Sequence, residues 1–206
     1  MKVLLINGSP KKAGCTFTAL NEVSKSLNEE GIETEIFQVG VKPIAGCIGC
    51  GSCRKTGKCV FDDLVNECMP KAKEADAIIV GSPVHYASAS GAITSFMDRL
   101  FYSSGGALQY KPGAAIASAR RAGTTATLDQ LTKYFTISNM PVISSCYWNM
   151  VHGNTPEEVC KDLEGMQIMK TLGKNMAWML KCIEAGKKAG VQMPVREDKI
   201  FTNFIR

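Results

Sequence analysis

Four cysteines fall within thirteen residues, Cys47, Cys50, Cys53 and Cys59, in the spacing C-x2-C-x2-C-x5-C. Thiolate is a soft ligand, and a set made only of sulfur selects an iron–sulfur cluster or zinc. The first three thiols can converge on one centre, and Cys59 can close the shell. The spacing is close to the C-x2-C-x2-C-x3-C-P run of bacterial ferredoxins, but the fourth cysteine comes two residues later and Val60 stands where proline would. Five intervening residues are enough for Cys59 to loop back to the centre that the other three hold. Gly46, Gly49 and Gly51 permit tight turns and leave N–H groups to tune the sulfurs. Structural zinc usually takes two C-x2–4-C pairs separated by a longer stretch, which is absent here. An iron–sulfur cluster, zinc and plain thiols are the three readings that the cysteines leave open.

The chain has nine cysteines in all, an odd number. Met1 to Ile6 begins like a signal peptide, but Asn7-Gly8-Ser9-Pro10 ends the apolar run too early. No stretch approaches the ~20 apolar residues of a membrane span. A cytoplasmic, reducing location is expected, where clustered cysteines indicate metal or redox chemistry instead of disulfides. Cys68, Cys146, Cys160 and Cys182 have no partner spacing and read as buried small hydrophobes. The net charge of +5 is spread along the chain. That suits a site for a small anion; a nucleic-acid groove wants a denser basic stripe with aromatics between the charges. Neither a nucleic acid nor a membrane is an expected partner.

The elements that position these residues follow from periodicity. Val3-Leu4-Leu5-Ile6 reads as a strand, Thr16 to Glu30 as a helix, and Ile32 to Phe37 as a strand with one polar face. After the cysteine segment, Asp62 is the expected cap of a helix over 63–74. Ala77-Ile78-Ile79-Val80 reads as a buried strand, 90–102 as a helix, Gly113 to Ala117 as a strand and 123–137 as a helix. Pro141-Val142-Ile143 is the expected fifth strand. A long last helix runs from Pro156 to Gly186, with Thr155 as its cap. Strands alternating with helices predict an α/β fold with a five-stranded, doubly wound parallel sheet in the order 2-1-3-4-5. At 206 residues this is one domain, over 1–186, with a tail over 187–206 that packs as an arm on a neighbouring subunit or as a strap on its own.

In such a sheet ligands bind where strands end. Gly8-Ser9-Pro10-Lys11-Lys12-Ala13-Gly14-Cys15-Thr16 joins the first strand to the first helix and offers N–H groups, hydroxyls and a lysine to an anion. It is neither a Walker loop nor a dinucleotide fingerprint, so a single phosphate suits it better. After the third strand, Ser82-Pro83-Val84-His85-Tyr86 and the small residues up to Gly91 suit a flat ring. Tyr86 can border that ring, and His85 is either a proton donor or an ordinary loop histidine. After the fourth strand, Ala119, Arg120 and Arg121 bring cations that an anion or solvent must meet.

These loops, in this order, with the cysteine motif between strands two and three, resemble the iron–sulfur flavoproteins. Those belong to the wider NADPH-dependent FMN reductase and NAD(P)H:quinone oxidoreductase group of flavodoxin-like proteins. The resemblance covers about residues 1–150. It implies FMN, with its phosphate on Ser9, Lys11, Cys15 and Thr16 and its ring against Pro83, Val84, His85 and Tyr86. Ala119, Arg120 and Arg121 would lie near the pyrimidine end, where a cation stabilises the negative charge of reduced flavin. It further implies one 4Fe–4S cluster on Cys47, Cys50, Cys53 and Cys59, and a homodimer or homotetramer with flavins near subunit interfaces. Trp148 would then cover a ring, or else pack in the core beneath the last helix. The family often has Asn or Ser where this chain has Cys15; a thiol donates weakly, so the backbone N–H there matters more. The implied activity passes electrons from NAD(P)H or a reduced carrier to a quinone, a ferredoxin-like protein or a small molecule, with no single catalytic side chain. A cluster-free reductase and a zinc-stabilised binding module without turnover are the alternatives.

Overall fold

The apolar run at the N-terminus becomes the centre of the fold in the computed structural model, which describes residues 1–195, 197 and 200–205. It forms β1 (Lys2–Asn7), buried from Val3 onward. β1 pairs in parallel with β2 (Glu33–Gln38) on one side and β3 (Ala77–His85) on the other. β5 (Gly113–Ala119) continues from β3, and β6 (Met150–His152) closes the edge, both in parallel. The order is β2-β1-β3-β5-β6, with the two-residue β4 (Ser88–Ala89) turned back on β3 as an antiparallel ribbon. The five parallel strands thus take the expected order, with its reversal beside β1.

Alternate residues of each strand face opposite layers, as the pleat requires. Leu4, Ile6, Ile78 and Val80 pack with Val65 and Cys68 of α3 (Leu64–Glu74), Ile93 and Phe96 of α4 (Gly91–Ser103), and Leu131 and Phe135 of α5 (Thr124–Ile137). Val3, Leu5, Ile79 and Ile116 pack with Leu20 and Val23 of α1 (Cys15–Glu29), Val159 of α6 (Pro156–Lys161), and Leu172 and Met176 of α7 (Leu163–Lys188). α2 (Cys53–Thr56) is a single turn inside the cysteine segment.

Four expectations change. The fifth strand is split. Gly113 exchanges bonds with the Pro141 carbonyl and the Ile143 N–H, and the chain then swings out through 144–149. The ladder resumes at Met150–His152 opposite Ala117–Ala119. The long last helix breaks at Asp162, whose carboxylate accepts from the N–H groups of Gly165 (3.0 Å) and His152 (2.7 Å), so it starts α7 and pins it to β6. Asp63, not Asp62, caps α3, accepting from Val65 N–H at 3.1 Å. Of the four cysteines read as buried, only Cys68 is; Cys146, Cys160 and Cys182 lie on the surface. Burial pushes the Cys68 thiol up to about 12, in keeping with a packing role. The expected tail over 187–206 includes residues 196, 198, 199 and 206, which lie outside the described residues; α7 itself runs to Lys188.

Lys111, just ahead of β5, closes the C-terminal end of α3. Its ammonium donates to the carbonyls of Ala72, Lys73 and Ala75 at 3.2, 2.5 and 2.6 Å. Helix ends leave such carbonyls without intrahelical partners, and a cation there also complements the dipole. Lys111→Met keeps the stem and removes the donors. It is expected to cost about 1–3 kcal/mol, read as a lower urea midpoint at unchanged slope; an unchanged midpoint contradicts the capping role.

Candidate functional site

The carboxyl ends of β1, β3 and β5 frame a crevice of about 250 Å³. From the first loop, Ser9, Lys11, Cys15 and Thr16 line it; from the second, Pro83, Val84 and His85; from the third, Ser118, Ala119 and Arg120. Tyr86 and Arg121 are not among its walls, and both are exposed.

Hydrogen bonds hold the three loops together. Gly8 N–H donates to the Gly81 carbonyl at 2.8 Å, and Ser90 Oγ donates to the Gly8 carbonyl at 3.1 Å. A Cβ on Gly8 would stand 2.8 Å from that Gly81 oxygen and 2.7 Å from Ile93 Cβ, so only glycine fits. Thr16 and Ser118 share a hydroxyl bond of 2.7 Å, which joins the first loop to the third. The second and third loops interlock as well. His85 and Ser88 face each other across a two-residue turn, Tyr86-Ala87, with φ of 51° and 56°. This is the tight hairpin geometry that non-glycine residues adopt at a cost. Gly123, at φ 95°, lies beneath it; a Cβ there would meet Ala87 Cα at 2.7 Å. Gln130 of α5 secures the far side, accepting from Ser88 Oγ and Ala89 N–H.

The donors in the crevice suit an anion. Ser9 Oγ accepts from Lys11 N–H at 3.1 Å, which leaves its own O–H to donate outward. Thr16 and Ser118 use one hydrogen between them, so the other hydroxyl keeps its own. No side chain caps α1, whose first-turn N–H groups open here. The Cys15 thiol is occupied elsewhere, donating to the Gly153 carbonyl at 3.6 Å, and burial pushes its pKa up. The backbone is what position 15 offers a ligand.

A second cavity, about 160 Å³, is lined by all four clustered cysteines together with Phe61, Arg99 and Tyr102. All four are free thiols, and no carboxylate or imidazole shares the lining. Gly49, Gly51 and Gly57 adopt φ of 66–68°, the left-handed region, and turn the chain between the thiols. Cys59 is fixed in place: its N–H donates to Asn66 Oδ1 at 2.9 Å, and Asn66 Nδ2 donates to its carbonyl at 3.0 Å. Arg99 of α4 donates from Nε to Cys59 Sγ at 3.1 Å and forms a two-pronged pair with Asp63, each prong 2.7 Å. Among the described residues, no group of three or more His, Cys, Asp or Glu converges on one metal-ion position. Single-ion zinc therefore has no ready-made seat here. In a cluster each cysteine binds a different iron, so its ligands stand further apart.

Residues 1–155 match the NADPH-dependent FMN reductase family. The chain belongs to that family. It is an oxidoreductase of the FMN-using kind. An iron–sulfur flavoprotein of Methanocaldococcus jannaschii is 36% identical over 192 residues, covering 89% of this chain and all of that one. Among solved structures, a flavodoxin from the domain Archaea shares the fold at TM-score 0.60 and 19% identity, covering 88% of this chain and 99% of its own. An NADH:FMN oxidoreductase in its apo form does so at TM-score 0.63 and 15% identity, covering 86% and 89%. The fold is flavodoxin-like. No helix among the described residues is long and apolar enough to cross a membrane.

Several positions in this family member escape sequence reading. Gly153 and Asn154 join the crevice from the end of β6, a strand whose upper half carries no apolar run of its own. Asn7 and Gln38 shape the first loop: Asn7 Oδ1 accepts from Ser9 N–H, and Gln38 Nε2 donates to the Ser9 carbonyl at 2.6 Å. A polar residue closing each of two neighbouring strands, β1 and β2, is the signal that was available. Trp148 is exposed, edge-on to Tyr147 with ring centres 4.8 Å apart, and takes no part in the core. Arg99 carried no motif.

The Asp63–Arg99 pair has a pH signature. Burial alone would push the Asp63 carboxyl up, but the Arg99 guanidinium and the Val65 N–H outweigh it and hold it below the usual range. A lowered carboxyl stabilises the fold above its unfolded pKa, and that contribution is lost as pH falls through the folded one. In chelator, the wild type and Asp63→Asn are expected to differ in urea midpoint near neutrality; the gap begins to close only as pH falls below about 3.9, the unfolded value, and is gone once pH is below the lowered folded one. A gap that persists in stronger acid contradicts the pairing.

Proposed function

We propose that this oxidoreductase takes electrons from NAD(P)H or a reduced carrier and passes them through FMN in the crevice and a 4Fe–4S cluster on Cys47, Cys50, Cys53 and Cys59. The acceptor is a quinone, a ferredoxin-like protein or a small molecule. The observation that carries this reading is the second cavity. Four thiols free of disulfides line one space with no carboxylate or imidazole, on the same chain as a crevice at three strand ends whose donors suit an anion. Bound there, FMN supplies two-electron chemistry and the cluster supplies single-electron storage.

The chain's own residues hold and orient. Ser9, Thr16, Lys11 and the first-turn N–H groups of α1 would take a phosphate, with position 15 acting through its backbone. Pro83, Val84 and His85 offer a wall of backbone and flat side chains for a ring. Arg120, with Ala119 beside it, supplies positive charge at the far side of the crevice. Tyr86 and Arg121, exposed next to the crevice walls, are assigned to its rim. Assembly into a homodimer or homotetramer is supported by the surface of the single chain, where Tyr147, Trp148, Phe201 and Phe204 stand exposed.

Protein purified without oxygen is expected to carry flavin, iron and acid-labile sulfide. Cys50→Ser should lose iron and keep flavin. Lys11→Gln should weaken FMN binding by roughly tenfold, the size of one charged hydrogen bond, and leave iron unchanged. Flavin without iron or sulfide in the wild type would favour a cluster-free reductase; stoichiometric zinc without flavin would favour a binding module.

A further inference from the structure

Arg99 is the largest wholly buried side chain of the described residues, at 1% exposure, and the crevice makes no use of it. A guanidinium has five N–H donors, and a buried one must place them all. Here each has an acceptor. Nη1 reaches Asp63 Oδ2 at 2.7 Å and the Ala45 carbonyl at 3.2 Å; Nη2 reaches Asp63 Oδ1 at 2.7 Å and the Phe61 carbonyl at 3.3 Å. The fifth, on Nε, goes to Cys59 Sγ at 3.1 Å. The Phe61 ring covers the group, its centre 4.9 Å from Cζ. Ala45 and Phe61 flank the cysteine segment on both sides, so one side chain from α4 ties both of its ends.

We propose that Arg99 is a positioning residue that sets the reduction potential of the iron–sulfur centre through Cys59, an inference that rests on the cluster reading above. An N–H aimed at a ligand sulfur withdraws electron density from it, and a positive charge beside the cluster favours the state with one more electron. Reduction adds that electron from the donor without making or breaking a bond at Cys59, so the geometry that Arg99 holds serves both oxidation states. Asp63 sits on the opposite side of the guanidinium from the sulfur and offsets its charge. The pair therefore presents its positive end to Cys59. Among the described residues, Cys59 alone of the four thiols has a charged partner: Cys53 Sγ makes only a long contact to the Tyr102 carbonyl at 3.8 Å. The asymmetry marks the iron nearest Cys59 as the one whose charge is tuned.

This arrangement makes two substitutions act with opposite sign. Arg99→Met removes donor and charge, and the cluster couple should move to more negative potential. A tenfold change in the ratio of reduced to oxidised cluster corresponds to 59 mV for a one-electron couple, and a shift of about that size is expected. Asp63→Asn leaves the guanidinium unopposed and should move the couple positive. Arg99→Lys keeps the charge but not the fork and should recover part of the Met shift. The measurement is an anaerobic redox titration of the cluster's reduced EPR signal in the holoprotein, with the flavin couple followed optically as the internal control. A merely structural role moves both variants the same way or not at all, and either result overturns the inference. Should Arg99→Met fail to retain iron, Arg99→Lys and Asp63→Asn carry the same test of opposite sign. A wild type without a cluster overturns the functional reading itself, whereas a wild-type cluster whose potential ignores both residues overturns the role of Arg99 alone.

Discussion

Parallel strands all end on the same side of a sheet, and in this chain the reversal of order beside β1 opens a gap there. β1 and β3 are neighbours, yet their connections leave in opposite directions, so the loops after them part and leave a crevice between. What turns that gap into a defined site is a short list of bonds: Gly8 to Gly81, Ser90 to Gly8 and Thr16 to Ser118. Each links loops that are far apart in sequence. Glycine at 8 and 81 is a requirement of the same contact: a Cβ on Gly8 would stand 2.8 Å from the Gly81 carbonyl oxygen, and one on Gly81 would press on the Thr16 and Leu20 side chains. Burial of the hydroxyls follows too. Ser9, Thr16 and Ser118 are almost fully enclosed, and Ser9 and one of the Thr16–Ser118 pair keep a hydroxyl hydrogen for a ligand.

The cysteine segment meets a different constraint. Residues 39–52 form almost no regular structure, and a stretch with so few backbone bonds of its own has little to define its shape. Order is lent to it from outside. Asn66 of α3 grips Cys59 by its backbone, and Arg99 of α4 gives one donor each to Cys59, Ala45 and Phe61 while its other two hold Asp63. α3 and α4 in turn belong to the core that β1 and β3 build. The path from sheet to thiol therefore runs through two polar side chains, and the electrostatics of the second cavity are set by the same guanidinium that shapes it.

How far the sequence discloses this depends on the kind of signal. Apolar runs such as Val3–Ile6 and Ala77–Val80 show both the strands and their parallel, doubly covered setting, because burial on two faces leaves no alternation. The fifth parallel strand is half hidden: Pro141–Ile143 is apolar, but β6 resumes the pairing only after the excursion through 144–149, and Gly153 and Asn154 at its end are hidden with it. The loop residues from Ser9 to Arg120 could be found because their types are unusual at strand ends. Tyr86 and Arg121 show the limit of that argument: each directly follows a crevice residue, yet both are exposed and outside the crevice walls. Arg99 was invisible for a plain reason. Beside Asp98 in an amphipathic helix, Arg99 looks like a surface residue, and only the fold reveals that Asp63, Cys59 and two carbonyls surround it. The surface cysteines failed in the opposite direction, because a small apolar side chain carries too little area for burial to decide its place.

The central claim is that one chain holds two redox centres of different kinds. An anaerobic reductive titration of the purified protein counts the electrons that each chain accepts. The account predicts the pair that a flavin takes plus a single further electron, with bleaching of a broad visible absorption alongside that of the flavin. Uptake that stops at the flavin pair in protein purified without oxygen would contradict it.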